Sequence, residues 1–188
     1  MSVTTLDPAT GSPIAEYAAH DAAETEQLLA ATSLAARGWA RTDLTDRLTR
    51  LSELADTLRK RSDELALLIT REMGKPITEA RAEIEKSART ADYYADNARA
   101  LLADEPVGIE GARAWTSYEP LGVVLAVMPW NFPVWQVMRA AIPVVAAGNG
   151  LLLKHAANVT GCALALEGVF RQAGIPRNVV TTLVIPEE

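Results

Sequence analysis

Residues 118–154, YEPLGVVLAVMPWNFPVWQVMRAAIPVVAAGNGLLLK, decide the fold of this chain. Val123 to Met128 form a short apolar run, rich in β-branched residues and bounded by Gly122 and Pro129. Such a run predicts a fully buried strand over 122–128. The next five residues, Pro129-Trp130-Asn131-Phe132-Pro133, cannot continue a sheet, because each proline removes a backbone donor and fixes the chain locally. A polar amide, Asn131, is therefore held in a stiff loop just past the carboxyl end of a strand. In open α/β sheets that edge is where ligands bind.

Downstream, the pattern predicts a helix over about 134–147, closed by Gly148, and then a strand over 150–154. Asn158 or Thr160 starts a second helix that runs to about Ala173 and ends at Gly174, and a strand over 179–185 closes the chain. This is βαβαβ, the three-strand half of a doubly wound, Rossmann-like parallel sheet. The chain ends at Pro186-Glu187-Glu188, straight after a strand, where another helix is expected.

Upstream, Val107 to Tyr118 alternate with strand period, and Gly111-Ala112 suits a hairpin tip. Such an arm is either a plain surface hairpin or a contact with another subunit. Before it the period is helical. Asp21 caps a helix to about Arg37, with Leu28, Leu29, Thr32 and Ala36 on one side and Gly38 at its end. Asp43 starts a second helix, burying Leu44, Leu48, Leu51, Leu54, Ala55 and Leu58 and leaving Asp46, Arg47, Arg50, Glu53 and Arg59 outside. Ser62 restarts the helix until Gly74, and Pro76 fits the first turn of a long helix with an alanine-rich face from Ile77 to Leu102. Residues 1–20 read as an extended lead-in with turns. The expected organisation is a helical part over 1–105, a projecting hairpin over 106–120, and the βαβαβ unit over 121–188.

Apolar residues make up 49% of the 188, enough for a real core, and the net charge of −6 argues against a nucleic-acid surface. No apolar run reaches the roughly 18 residues of a membrane helix, and the N-terminus has no basic start or apolar segment of a signal peptide. A soluble cytoplasmic protein is expected. The single cysteine, Cys162, lies at helical spacing with Val159, Leu166 and Val169, which suits a small buried residue better than a reactive thiol. With one cysteine and two distant histidines, no metal site is expected. Gly148-Asn149-Gly150 joins a helix to a strand, so it is not a dinucleotide fingerprint.

The run Pro129-Trp130-Asn131-Phe132-Pro133, a helix, Gly148-Asn149-Gly150 and a strand ending in Lys154, with Glu72-Met73-Gly74-Lys75-Pro76 upstream, resembles the aldehyde dehydrogenase superfamily over the whole chain. MPWNFPVWQVMR and LLLKHA look most like the bacterial succinate-semialdehyde dehydrogenases. The resemblance implies NAD(P)-dependent oxidation of an aldehyde, and a homo-oligomer through the 107–118 hairpin is expected. It makes Asn131 the donor to the oxyanion, with Pro129 and Trp130 beside it in the cofactor and substrate passage. Lys154 matches the lysine that holds the adenosine ribose of NAD or NADP. The family usually follows it with Pro, a small residue, then Glu or Ser; here His155, Ala156 and Ala157 stand there. The Ala157 side chain neither hydrogen-bonds a ribose hydroxyl nor repels a 2′-phosphate, which favours tolerance of NADP. Arg139 matches an arginine that binds the distal carboxylate of succinate semialdehyde, and Trp135 is placed with it on the substrate side. The family's nucleophilic cysteine and general-base glutamate correspond to positions beyond residue 188. The chain therefore reads as the N-terminal portion of such an enzyme; the alternatives are a nucleotide-binding module without chemistry and an interaction protein that joins a full-length enzyme. From the residues alone, Asn131 also suits satisfying its own loop, Lys154 a solvated charge, and Arg139 a surface position.

Overall fold

The strand and helix alternation expected after residue 121 is present in the computed structural model, which describes residues 1–186. Strands β5 (Val123–Met128), β6 (Gly150–His155) and β7 (Val180–Leu183) form a parallel sheet in that order. They are linked by α5 (Trp135–Ala146) and, after a short 3₁₀ turn (Ala157–Val159), by α6 (Thr160–Gln172). Residues 187 and 188 of the expected 121–188 unit lie outside the described residues.

The remaining elements come first in the chain: β1 (Ser2–Leu6), β2 (Pro13–Ala18), α1 (Ala22–Ala40), α2 (Leu44–Lys60), α3 (Ser62–Met73), α4 (Ile77–Leu101), and the hairpin β3 (Glu105–Ile109) and β4 (Ala112–Thr116). Residues 1–20 are not a plain lead-in, because β1 and β2 pair antiparallel. Only Val3 and Thr5 of β1 are buried, so the strand carries little apolar alternation to read. Helix α1 opens on the capping box of Asp21 and Glu24, as Asp21 suggested, but runs through Gly38 to Ala40. Trp39 is thus on the helix, buried, with its Nε1 donating to the Val145 carbonyl at 2.8 Å.

Helices cover the sheet on two sides. Thr32 of α1 shares a buried hydrogen bond with Thr181 of β7, and a Cβ on Gly150 would meet Ala36 and Thr32 at 3.0 and 3.3 Å. Gly150 therefore admits the close approach of α1 to β6. The next residue along β7, Thr182, donates to the Ala163 carbonyl of α6, so α6 lies on the opposite face. Helices α2, α3 and α4 pack outside α5 and α6 and complete the core with Leu51, Leu54, Leu58, Ile69 and Ile84.

Strand β5 departs from the expectation of full burial. Leu125 and Val127 are 59% and 68% exposed, while Ala126 between them is buried. The register sets Leu125 and Val127 beside Leu152 and Lys154, on the side of α1, and α1 lies over β6 and β7 rather than over this edge strand. Arg47, expected on the polar face of α2, is instead buried, with Nη1 donating to the Ala40 carbonyl at 3.3 Å. Among the described residues no helix is long and apolar enough to cross a membrane.

Candidate active site

Helix α5 begins without a capping side chain of its own. Its cap comes from α4: Glu83 Oε1 accepts from the Val134 and Trp135 N–H groups, each at 2.8 Å. A carboxylate there satisfies two orphan donors and meets the positive end of the helix dipole. The other oxygen accepts from Lys75 Nζ in a buried ion pair. Lys75 donates in turn to the Asn131 carbonyl at 3.1 Å, and its ammonium lies 3.8 Å from the centre of the Phe132 ring.

A second hold comes from β6. Side chains alternate along a strand, so Lys154 and His155 point to opposite faces. His155 turns inward and is buried, with Nε2 2.9 Å from the Pro133 carbonyl and Nδ1 2.9 Å from the Ala156 N–H. A carbonyl only accepts and an N–H only donates, so the neutral ring with its proton on Nε2 satisfies both. Burial pushes the His155 pKa below its ordinary value. A proton added at Nδ1 would also face the Ala156 N–H. The structure thus makes His155 a brace of the loop and not a group open to a cofactor.

Asn131 is exposed, and among the described residues no hydrogen bond takes up its side-chain amide. The reading in which Asn131 satisfies its own loop is not what the structure shows; Lys75, Glu83 and His155 do that work. Trp130, likewise exposed, follows Pro129 at the end of β5. Lys154 emerges level with Val127, half-buried and without a carboxylate partner among the described residues. It borders the uncovered apolar strip of Leu125 and Val127. Ala156 and Ala157 lead from β6 into the 3₁₀ turn, and the Ala156 N–H also donates to the Met128 carbonyl at 3.0 Å. Trp135 and Arg139 lie four residues apart on α5 and so share a face. Arg139 is exposed and unpaired among the described residues, and Lys86 Nζ sits 4.1 Å from the centre of the Trp135 ring.

Cys162 is buried in α6, and burial pushes its thiol well above the ordinary range. Its N–H and that of Gly161 donate to the two oxygens of Glu72, each at 2.9 Å. Glu72 of α3 therefore caps α6 as Glu83 of α4 caps α5. Glu72, Lys75 and Glu83 carry no role in the sequence pattern of the site, although the sequence holds a signal for two of them. Glu72 is in phase with Leu65 and Ile69, and Glu83 with Ala80 and Ser87, on buried stripes. A carboxylate on such a stripe has to be paired or hydrogen-bonded. No group of His, Cys, Asp and Glu suited to a metal ion occurs among the described residues.

The profile of the Aldehyde dehydrogenase family matches residues 1–188. The chain belongs to the aldehyde dehydrogenase family. This aldehyde dehydrogenase chain is 48% identical over 174 residues to a succinate semialdehyde dehydrogenase [NAD(P)+] of Escherichia coli K12, covering 93% of the chain and 38% of the relative. It is 44% identical to a probable succinate-semialdehyde dehydrogenase [NADP(+)] of Synechocystis, over 98% of the chain and 41% of the relative. Among solved structures, the succinic semialdehyde dehydrogenase of Streptococcus pyogenes in complex with NADP+ superposes with a TM-score of 0.94 at 33% identity, over 98% of this chain and 41% of that one. The chain thus spans about two fifths of the length of these relatives.

Proposed function

We propose that this chain supplies part of the active site of an NAD(P)-dependent dehydrogenase that oxidises succinate semialdehyde to the dicarboxylic acid. The observation that carries the reading is the Asn131 amide: unengaged among the described residues, on a loop whose main chain is held, at the carboxyl edge of a parallel strand. A donor so placed suits an oxygen that becomes negative when a thiolate adds to an aldehyde carbon. Cys162 is too buried to be that thiolate. On this reading the nucleophile and the general base come from family sequence beyond residue 188.

The cofactor side fits a nicotinamide dinucleotide. Lys154 offers a cation without a carboxylate partner among the described residues, beside an apolar shelf, Leu125 and Val127, at the carboxyl end of the sheet. Lys154 would hold the ribose, with Pro129, Trp130 and the 156–157 backbone along the passage; the dinucleotide, when bound, supplies the hydride acceptor. The relatives' names support both NAD and NADP. The ribbon of β3 and β4, with Val107, Ile109 and Trp115 exposed, is the surface we assign to a second copy of the chain, and a monomeric native mass would remove that assignment.

Arg139 and Trp135 set the substrate class in this reading. An exposed guanidinium on the first turns of the helix that follows the Asn131 loop is suited to a carboxylate, which it binds through charge-assisted and often bidentate hydrogen bonds. Where the bound substrate and the rest of the enzyme bury such a pair, its loss costs about 2–5 kcal/mol. In the complete dehydrogenase, Arg139→Ala should reduce kcat/KM for succinate semialdehyde far more than for an uncharged aldehyde of similar length. Equal losses for the two substrates would remove Arg139 from the site.

A further inference from the structure

The loop that presents Asn131 is gripped by its main chain at four points within five residues. Lys75 holds the Asn131 carbonyl, His155 the Pro133 carbonyl, and Glu83 the Val134 and Trp135 amides. The three side chains come from the turn before α4, from α4 itself and from β6, so the loop is clamped from separate elements. All three are buried. None touches the Asn131 amide, which has no hydrogen-bond partner among the described residues.

Resting on the oxyanion reading of Asn131, we propose that Lys75, Glu83 and His155 are positioning residues that fix the Asn131 amide before reaction. Three observations separate this from ordinary helix capping. Glu72 is the comparison: its carboxylate takes two α6 amides and sits beside the Tyr17 hydroxyl, and it has no lysine partner among the described residues. Glu83 does the same for α5 and in addition holds Lys75, whose second hydrogen bond goes to the backbone of Asn131 itself. A buried ion pair is seldom worth more to stability than an apolar pair of similar volume, so its retention asks for another reason. Here the pair converts the fixed end of α5 into a fixed carbonyl at Asn131. The Asn131 carbonyl is held directly, and the chain is anchored after it at the Pro133 carbonyl and before it at the Met128 carbonyl, so the backbone that carries the amide has little room to move. A donor fixed in advance stabilises developing charge without reorganising at the moment of reaction. The Lys75 ammonium on the Phe132 ring further restricts the next residue of the loop.

The test is a double-mutant cycle in the complete dehydrogenase, read as single-turnover rate, KM and cofactor Kd. Asn131→Ala is measured first. Lys75→Met keeps the length of the side chain and removes its donors, leaving Glu83 with its two amide partners. His155→Phe releases the Pro133 carbonyl while Ala156 keeps its bond to Met128, and it serves if Lys75→Met fails to fold. Displacing a reacting group by about 1 Å can cost about 10²-fold, so each variant should slow the chemical step by about 10- to 100-fold. In the Asn131→Ala background the same variants should cost less than about twofold, the limit within which independent sites add. KM and cofactor Kd should hold. Glu72→Gln is the control, costing the same factor in both backgrounds. Equal losses from Lys75→Met or His155→Phe in the two backgrounds would overturn the positioning role while leaving Asn131 as the donor. If Asn131→Ala itself leaves the rate unchanged, the oxyanion reading fails, and the positioning role with it, before Lys75 is touched.

Discussion

The substitution Gly161→Ala places a methyl group where the cap of α6 stands. A Cβ at Gly161 would lie 2.5 Å from Glu72 Oε1 and 2.6 Å from the Tyr17 hydroxyl, with the Glu72 carboxyl carbon at 3.1 Å. Glu72 is only 1% exposed, so its carboxylate has nowhere solvated to go. Moving it breaks its hydrogen bonds from Gly161 and Cys162, both 2.9 Å. Hydrogen bonds to a charged group are worth about 1.5–3 kcal/mol each, and alanine regains about 1 kcal/mol of helix propensity over glycine. The net expectation is a loss of about 2–5 kcal/mol if both bonds go. For a chain of this size each kcal/mol lowers Tm by about 2–4 °C. Thermal and urea denaturation followed by circular dichroism measure the difference. Helix propensity alone predicts the opposite sign, so a Gly161→Ala chain as stable as the wild type, or more so, would refute the cap.

Two further outcomes follow from the same geometry. Burial lowers the His155 pKa in the folded chain below the 6.5 of the unfolded one. Its contribution to stability is therefore full above pH 6.5 and is lost as pH falls from there through the lowered folded value, at a slope of at most about 1.4 kcal/mol per pH unit. Urea titrations between pH 5 and 8 should show this slope in the wild type and its loss in His155→Phe; identical profiles would exclude His155 as its source. Lys154→Ala should weaken NAD and NADP binding measured by calorimetry, and equal affinities for the two proteins would take Lys154 out of the cofactor site.

The βαβαβ unit was legible because its punctuation is local. Gly122 and Pro129 bound one run, Gly148 closes α5, and Gly174 follows α6. Burial of β5 was not legible, since an apolar run reads alike whether one face or both are covered. What decides it is the placement of α1, a contact between residues far apart in sequence. The strands β1 and β2 escaped because their buried positions include a threonine and their flanks read as turns. Within the site, Asn131 and Lys154 stood out through family resemblance, and the structure puts both at the carboxyl end of the sheet. His155 follows Lys154 in the family's cofactor segment, but strand alternation turns the two neighbours to opposite faces. The clamp was hidden for a different reason. Glu72 and Glu83 sit in phase with buried stripes, but their partners, the first amides of α5 and α6, are main-chain groups that no side-chain pattern announces.

In the proposed dehydrogenase, a main chain held by Lys75, Glu83 and His155 presents Asn131 as a ready donor to an oxyanion. The most direct measurement is the single-turnover rate of aldehyde oxidation by the complete dehydrogenase with Asn131→Ala, alongside cofactor affinity in the same preparation. Removing one such donor typically costs about 10²–10³ in rate. The expected result is a fall of that size with cofactor affinity unchanged. An unchanged chemical step, or a loss that appears only in cofactor binding, would contradict it.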